Sequence, residues 1–115
     1  KPRIVGYRAK WDEGSFEYQH SVRRFAFSPA DEAMLEEVRR SALHAWALFG
    51  LRGYARVDYR VDRSGRPWVL EVNANPCITP GAGFASAVER GGVGFDDAIR
   101  RILADVGPRP RRGHP

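Results

Sequence analysis

The sequence contains one cysteine, Cys77, among its 115 residues, so the chain cannot form an internal disulfide. An unpaired thiol is compatible with a reducing compartment, and we predict a cytoplasmic protein. No apolar run approaches the ~20 residues of a membrane-spanning helix, so we expect no membrane partner. These two absences exclude a disulfide-rich scaffold and leave an ordinary globular chain.

The charge balance is basic, with 19 Lys and Arg against 14 Asp and Glu. Three of the positive charges, Arg109, Arg111 and Arg112, lie in a Pro/Gly-rich tail. A basic balance suits either nucleic acid or a polyanionic nucleotide. Lys and Arg form no regular stripe with interleaved aromatic residues, so a nucleic-acid-binding domain is disfavoured but kept as an alternative.

Length and composition bound the organisation of the chain. At 43% hydrophobic residues it is an ordinary globular sequence, with room for one small domain or part of a larger one. We predict one domain over residues 1–106 and a disordered Pro/Arg tail over 107–115. Because the chain starts at Lys1 directly in a strand-like run, we expect a fragment of a larger protein.

Periodicity and capping signals predict the elements around the centre of the chain. We expect a strand over 3–9, a polar loop over 12–28, and a helix from Ser28-Pro29 to Gly50. Short helices are predicted over 84–90 and from about Asp96. The apolar stripe of the long helix should comprise Leu35, Val38, Ala42, Ala45, Trp46 and Phe49, and that of the last helix Ala98, Ile99, Ile102 and Leu103.

A hairpin is predicted between residues 53 and 76, where two strand-like runs flank Ser64-Gly65. With a two-residue loop, the apolar face receives the pairs Val57–Val72, Tyr59–Leu70 and Val61–Trp68. The fold class is therefore α+β, an antiparallel sheet with a central hairpin packed by helices.

The same register collects polar residues on the other face, with Asp58 opposite Glu71 and Arg56 opposite Asn73. Facing carboxylates repel unless a cation lies between them, and two carboxylates with an amide oxygen suit Mg²⁺ or Mn²⁺. The Arg56 guanidinium is suited to a phosphate. The alternative is the solvated outer face of an ordinary hairpin, and opposed acids with Asn in a strand favour the site.

Five other residues have a functional and a structural interpretation. Lys10 can reach a phosphate, but a solvated surface lysine is the simpler interpretation. Trp46 and Phe49 are more typical of a core than of a cofactor platform. We interpret His44 as structural. We interpret Cys77 as a small buried or half-buried thiol, since no base accompanies it at motif spacing.

Over residues 4–104 the sequence resembles the C-terminal lobe of ATP-grasp carboxylate–amine ligases of the D-alanine–D-alanine ligase group. The resemblance implies magnesium ligation by Asp58, Glu71 and Asn73, with Glu71 bridging two ions, and phosphoryl stabilisation by Arg56. It implies a lysine near the γ-phosphate at Lys10 and an apolar residue beneath adenine at Leu70. The matching segments are Tyr7–Trp11, Leu48–Gly50, Gly53–Asp58, Leu70–Pro76 and Gly92–Asp96, with Ile99 and Ile102.

The resemblance further implies an ADP-forming ligase that uses ATP and two Mg²⁺ ions to join a carboxylate and an amine through an acyl-phosphate. It implies partner lobes, N-terminal and central, that this chain lacks, and we expect the chain alone to be inactive. Two departures leave the substrate open: Cys77 replaces a loop glycine, and Ala82-Gly83 replaces a Ser-Leu pair. A non-catalytic nucleotide- and metal-binding module remains an alternative, and a homodimer is left open.

Overall fold

The computed structural model describes residues 12–21 and 23–107. The predicted strand 3–9, Lys10 and the tail from residue 108 lie outside the described residues. Within them, a short helix precedes a long helix, a two-stranded antiparallel hairpin and two further helices, which confirms the α+β class. The elements are α1 (Phe16–Gln19), a 3-10 turn (Pro29–Asp31), α2 (Glu32–Leu48), β1 (Arg56–Val61), β2 (Pro67–Asn73), α3 (Gly83–Arg90) and α4 (Phe95–Ala104).

Both ends of the long helix follow the predicted local signals. At its start the Asp31 carboxylate accepts hydrogen bonds from the Ser28 backbone N–H at 3.0 Å and the Ser28 hydroxyl at 2.9 Å. At its end Gly50 adopts a φ of 57°, and the Gly50 and Leu51 N–H groups donate to the carbonyls of Ala47 and Trp46. This glycine-terminated pattern satisfies carbonyls that would otherwise lack partners.

The buried stripe of α2 is shorter than predicted. Leu35, Val38 and Ala42 are half-buried and Ala45 is buried, as expected. Trp46 and Phe49 are 37% and 61% exposed, so their prediction as core residues is wrong in this chain. The helix packs against β2, and Phe49 in its last turn lines an open groove with Val69 and Val72 instead of being covered by them.

The hairpin register is as predicted at one end and shifted at the other. Arg56 pairs with Asn73, Val57 with Val72 and Asp58 with Glu71, but the next pair is Tyr59 with Val69. Leu70 is therefore an extra residue in β2, a β-bulge. The predicted pairs Tyr59–Leu70 and Val61–Trp68 are wrong, because Val61 instead lies opposite Pro67 and Arg60 opposite Trp68.

The cause of the shift is the turn. The Gly65 N–H donates to the Asp62 carbonyl and the Asp62 N–H to the Arg66 carbonyl, both at 3.0 Å, which closes a loop of three residues, 63–65, rather than two. Gly65 occupies the left-handed region at φ 84°, where glycine carries no Cβ penalty. The extra loop residue moves every pair near the tip by one position.

Small residues fill the centre where the helices meet. Ala85 of α3 and Ala98 of α4 are buried, and these two helices contact each other. Ile99 and Ile102 are half-buried as predicted, but Leu103 is 65% exposed, which corrects its placement on the packed side. Among the described residues, no helix has the length and apolar character that crossing a membrane requires.

Candidate functional site

Four of the residues singled out in the sequence lie together at the end of the hairpin away from the turn. Arg56 faces Asn73 across the strands, and Asp58 faces Glu71. Asp58 and Asn73 are half-buried, and Glu71 is exposed. The structure therefore brings the predicted carboxylate pair, the amide and the guanidinium to one place, and leaves the carboxylates accessible from outside.

The guanidinium of Arg56 donates two hydrogen bonds to the Asp58 carboxylate. Nε lies 2.7 Å from Oδ1 and Nη2 lies 3.0 Å from Oδ2. The hydrogen bond to Asp58 raises the pKa of Arg56, partial burial opposes the rise, and the charges of Asp58 and Glu71 add to it. Arg56 thus supplies positive charge that offsets the repulsion between the facing acids.

The Asn73 side chain is held by the loop that follows it. Its Oδ1 accepts a hydrogen bond from the Asn75 backbone N–H at 2.9 Å, a turn in which asparagine bonds the chain two residues on. The Asn75 side chain in turn accepts a hydrogen bond from the Tyr54 hydroxyl at 2.6 Å. Sequence reasoning missed Tyr54 and Asn75, because a contact across 21 residues leaves no periodic signal.

The bulge decides where Leu70 lies. Val69 and Val72 both line a groove against α2, so both face that helix. The two residues between them, Leu70 and Glu71, consequently share the opposite face, which regular alternation would forbid. Leu70 is 64% exposed beside the carboxylates, and the predicted placement of Leu70 on the apolar face of the hairpin is wrong.

The loop after Asn73 starts from a buried anchor. Pro76 is the largest fully buried side chain of the described residues, whereas Cys77 is exposed. The Cys77 thiol lies 3.2 Å from the Thr79 hydroxyl, and hydrogen bonding to Thr79 lowers the pKa of the thiol. The expectation of a buried or half-buried thiol is therefore wrong, and the loop exposes the Cys77 sulfur to solvent.

A groove of about 410 Å³ between α2 and β2 was not predicted. It is lined mainly by apolar side chains, including Leu48 and Phe49, together with His44. Leu48, at one edge of this groove, is 70% exposed, and helical periodicity alone does not predict a groove at this position.

The metal-ligand set depends on an amide oxygen. Within residues 12–21 and 23–107, no group of three or more His, Cys, Asp and Glu side chains is arranged to hold a metal ion. Asp58 and Glu71 are two carboxylates, and Asn73 is the third oxygen donor nearby. Oxygen-only sets of this kind suit hard cations, which often retain water or phosphate ligands.

Comparison with known proteins gives these positions a context. The family described as D-ala D-ala ligase C-terminus matches residues 3–104. The chain belongs to this family. The match confirms the resemblance seen in the sequence, and the chain is a D-alanine–D-alanine ligase-like C-terminal domain.

Individual relatives agree with the family match. The chain is 28% identical to the D-alanine–D-alanine ligase of Cupriavidus metallidurans over 89% of its own length and 31% of that ligase. It is 39% identical to the ligase of Alkalilimnicola ehrlichii over 64% of its length and 24% of that ligase. The chain thus spans about a third or less of the relatives it matches.

The fold matches a solved structure of the same family. The crystal structure of D-alanine–D-alanine ligase from Bacillus anthracis complexed with ATP superposes with a TM-score of 0.66 at 25% identity. The match covers 76% of this chain and 30% of that ligase. The fold is therefore that of the ATP-grasp C-terminal lobe, as predicted.

Proposed function

We propose that the chain is the ATP- and magnesium-binding C-terminal part of a carboxylate–amine ligase. The observation that carries the proposal is the pairing of Asp58 with Glu71 across the hairpin, where the Arg56 guanidinium donates a hydrogen bond to each Asp58 oxygen. This arrangement occurs in a chain of a ligase family, one of whose members is crystallised with ATP. The arrangement of charges and the family match thus both support ATP and magnesium binding at the hairpin face that carries Asp58 and Glu71.

The donor set fits magnesium. Asp58 and Glu71 supply anionic oxygens from adjacent strands, and Asn73 supplies a neutral oxygen two residues beyond Glu71. Both Asp58 oxygens accept from Arg56, and each carboxylate oxygen has a second lone pair available to a cation. Two bound Mg²⁺ or Mn²⁺ ions, with Glu71 between them, would neutralise charge on the transferred phosphoryl group.

Other side chains would bind the nucleotide. Arg56, with its fork already oriented by Asp58, would contact the phosphoryl oxygens and stabilise their charge during transfer. Leu70, exposed on the same face as Glu71, would offer an apolar surface to adenine. Lys10, which lies outside the described residues, is proposed as a further contact to the γ-phosphate.

The reaction we propose has two steps. A substrate carboxylate oxygen attacks the γ-phosphorus of ATP, and ADP leaves. An amine then attacks the acyl-phosphate carbon, so that an amide forms, the nitrogen loses a proton, and inorganic phosphate leaves with its bonding electrons. The protein would act in the cytoplasm, where the Cys77 thiol stays reduced.

The complete enzyme would need partner lobes beyond this chain. We propose that residues 1–106 form one subdomain, that N-terminal and central lobes complete the nucleotide and carboxylate sites, and that the chain alone is inactive. We define the two substrates only by their chemical class, a carboxylate and an amine. Cys77 and Ala82-Gly83 occupy loop positions that contact substrate in the family, and they differ from its pattern.

The proposal is tested by magnesium-dependent ATP binding and amine-dependent phosphate release in the intact protein. Asp58→Asn and Glu71→Gln should each abolish magnesium dependence and reduce phosphate release by about 10³-fold or more. Glu37→Gln, which neutralises an exposed carboxylate on α2, is the matched control and should behave like the unaltered protein.

Three results would contradict the proposal in different ways. Magnesium-dependent ATP binding that survives Asp58→Asn combined with Glu71→Gln would refute the metal site. Tight magnesium-dependent binding without phosphate release under any acid and amine would favour a non-catalytic module. Nucleic-acid binding with a steep salt dependence, persisting after removal of residues 107–115, would favour the third interpretation.

A further inference from the structure

We infer that Tyr54 is a positioning residue for the Asn73 ligand oxygen and acts through Asn75. The inference rests on the proposed function, since it concerns how that magnesium site is held. Tyr54 itself does not contact Arg56, Asp58 or Glu71 by any described hydrogen bond. Its influence passes along the loop that leaves the site.

Two hydrogen bonds form the connection. The Tyr54 hydroxyl donates to Asn75 Oδ1 at 2.6 Å, and the Asn75 backbone N–H donates to Asn73 Oδ1 at 2.9 Å. The first bond fixes the Asn75 side chain and, with it, the direction of the Asn75 backbone. The second uses that backbone N–H to orient the Asn73 amide.

Tyr54 is the anchored end of this connection. Its ring meets the edge of Phe84 of α3, with centroids 5.3 Å apart at 62°. Its backbone follows Gly53, whose N–H donates to the Asp105 carboxylate at 2.6 Å. Asn75, by contrast, is exposed in the loop. Packing on α3 therefore fixes the Tyr54 side chain, and the Tyr54 hydroxyl fixes Asn75 in the loop.

The geometry leaves Asn73 able to act as a ligand. An amide oxygen has two lone pairs, and the Asn75 N–H uses one of them. The other remains for a cation, with the amide plane already set. Groups that orient a metal ligand in this way commonly affect metal affinity by about 10- to 100-fold.

The test is a magnesium titration at fixed ATP on the intact protein carrying Tyr54→Phe, Asn75→Ala or both. Tyr54→Phe removes the hydroxyl and keeps the ring on Phe84, and Asn75→Ala removes the acceptor and keeps the backbone N–H. Each should raise half-saturating magnesium by about tenfold, the lower end of that range, because the contact is indirect. The double variant should be no worse than either single variant.

A second readout needs no metal. Hydrogen exchange of the Asn75 backbone N–H should accelerate in Tyr54→Phe, since the loop loses its tether. A merely destabilised fold would instead accelerate exchange throughout the hairpin.

The matched control is Tyr59→Phe, which removes the hydroxyl of another tyrosine, on β1. The Tyr59 hydroxyl lies 2.6 Å from the Ser41 hydroxyl and on the side of the hairpin that faces α2. This variant should lose stability but retain the magnesium affinity of the unaltered protein.

The outcomes separate the inference from the function on which it rests. Unaltered magnesium affinity in Tyr54→Phe, with Asp58→Asn impaired, would overturn the inference alone. Equal weakening in Tyr54→Phe and Tyr59→Phe would also overturn it, by showing a general loosening. ATP binding that does not depend on magnesium in the unaltered protein would overturn the proposed function together with the inference.

Discussion

Arg56 and Asp58 stand two residues apart on β1, and the guanidinium of the first binds both oxygens of the second, at 2.7 and 3.0 Å. The pair is part-exposed, with 41% and 36% of the two side chains accessible. Glu71 lies opposite Asp58 and adds a second negative charge. The Arg56 guanidinium thus offsets the negative charge of both carboxylates, and it competes with any divalent cation for them.

That competition predicts opposite effects of Arg56→Gln on cation binding and on turnover. Without the guanidinium, the two carboxylates repel more strongly, so Mn²⁺ should bind about fivefold more tightly in the absence of ATP. Phosphate release should fall by about 10³-fold, because the phosphoryl charge loses its arginine. Manganese binding is measured by titration, and turnover by phosphate release.

Arg39→Gln is the control for Arg56→Gln. Arg39 also pairs with two acids, Glu32 and Glu36, but on the exposed surface of α2. Its replacement should leave both readouts within twofold of the unaltered protein. Weaker manganese binding in Arg56→Gln would show that the arginine does not oppose the cation.

The turn of the hairpin predicts a pH-dependent stability. Asp62 accepts hydrogen bonds from the Ser64 hydroxyl at 2.6 Å, the Trp68 indole at 3.0 Å and the Arg66 backbone N–H at 3.0 Å. These bonds hold the pKa of Asp62 well below its usual range. Since the folded state favours the carboxylate, its stabilising effect is present above the unfolded pKa, about 3.9, and is lost as pH falls through the folded pKa.

Asp62→Asn should therefore lower the Tm at pH 7, and the deficit relative to the unaltered protein should be constant from pH 5 to pH 8 and shrink below about pH 4. Thermal unfolding followed by circular dichroism at several pH values measures it. The control is Asp96→Asn, an exposed acid in the first turn of α4. A deficit that grows as the pH falls would contradict the assignment.

Local signals predicted the fold better than signals that depend on distant partners. The Ser28 start and Gly50 end of α2 were predictable because their partners lie within five residues. The pairs Arg56–Asn73 and Asp58–Glu71 were predictable from alternation. The Leu70 bulge was not, because it depends on a three-residue loop that an apolar pattern cannot distinguish from a two-residue one.

The same distinction applies to burial and to the site. Periodicity placed Trp46 and Phe49 on the packed face of α2, but burial needs close packing against the opposite element, and Phe49 lines an open groove between α2 and β2 instead. Tyr54 carried no signal, since its partner Asn75 lies 21 residues away. Residue types therefore identified the charged groups, and the structure was needed to identify what holds them.

The loop beyond the site predicts an unusually reactive thiol. Because hydrogen bonding to Thr79 lowers the pKa of Cys77, its iodoacetamide alkylation rate should reach half its maximum at a lower pH than that of an unperturbed cysteine thiol. Thr79→Val should raise that midpoint, and Thr79→Ser should restore it. With one cysteine in the chain, mass spectrometry reports the reaction directly. An unchanged midpoint in Thr79→Val would remove the hydroxyl as the cause.

The bulge makes a prediction that regular alternation would reverse. If Leu70 and Glu71 share the site face, Leu70→Ala should weaken ATP binding by about fivefold, roughly the 1 kcal/mol of a partly covered leucine. Because Leu70 is 64% exposed, unfolding stability should change by less than about 0.5 kcal/mol. Val69→Ala, on the α2 side of the same strand, should leave ATP affinity unchanged. Because Val69 is itself 52% exposed, its replacement should also change unfolding stability by less than about 0.5 kcal/mol. Nucleotide titration and urea unfolding of the two variants measure the four quantities. Weaker ATP binding in Val69→Ala with normal binding in Leu70→Ala would show that Val69, and not Leu70, lies on the same face as Glu71.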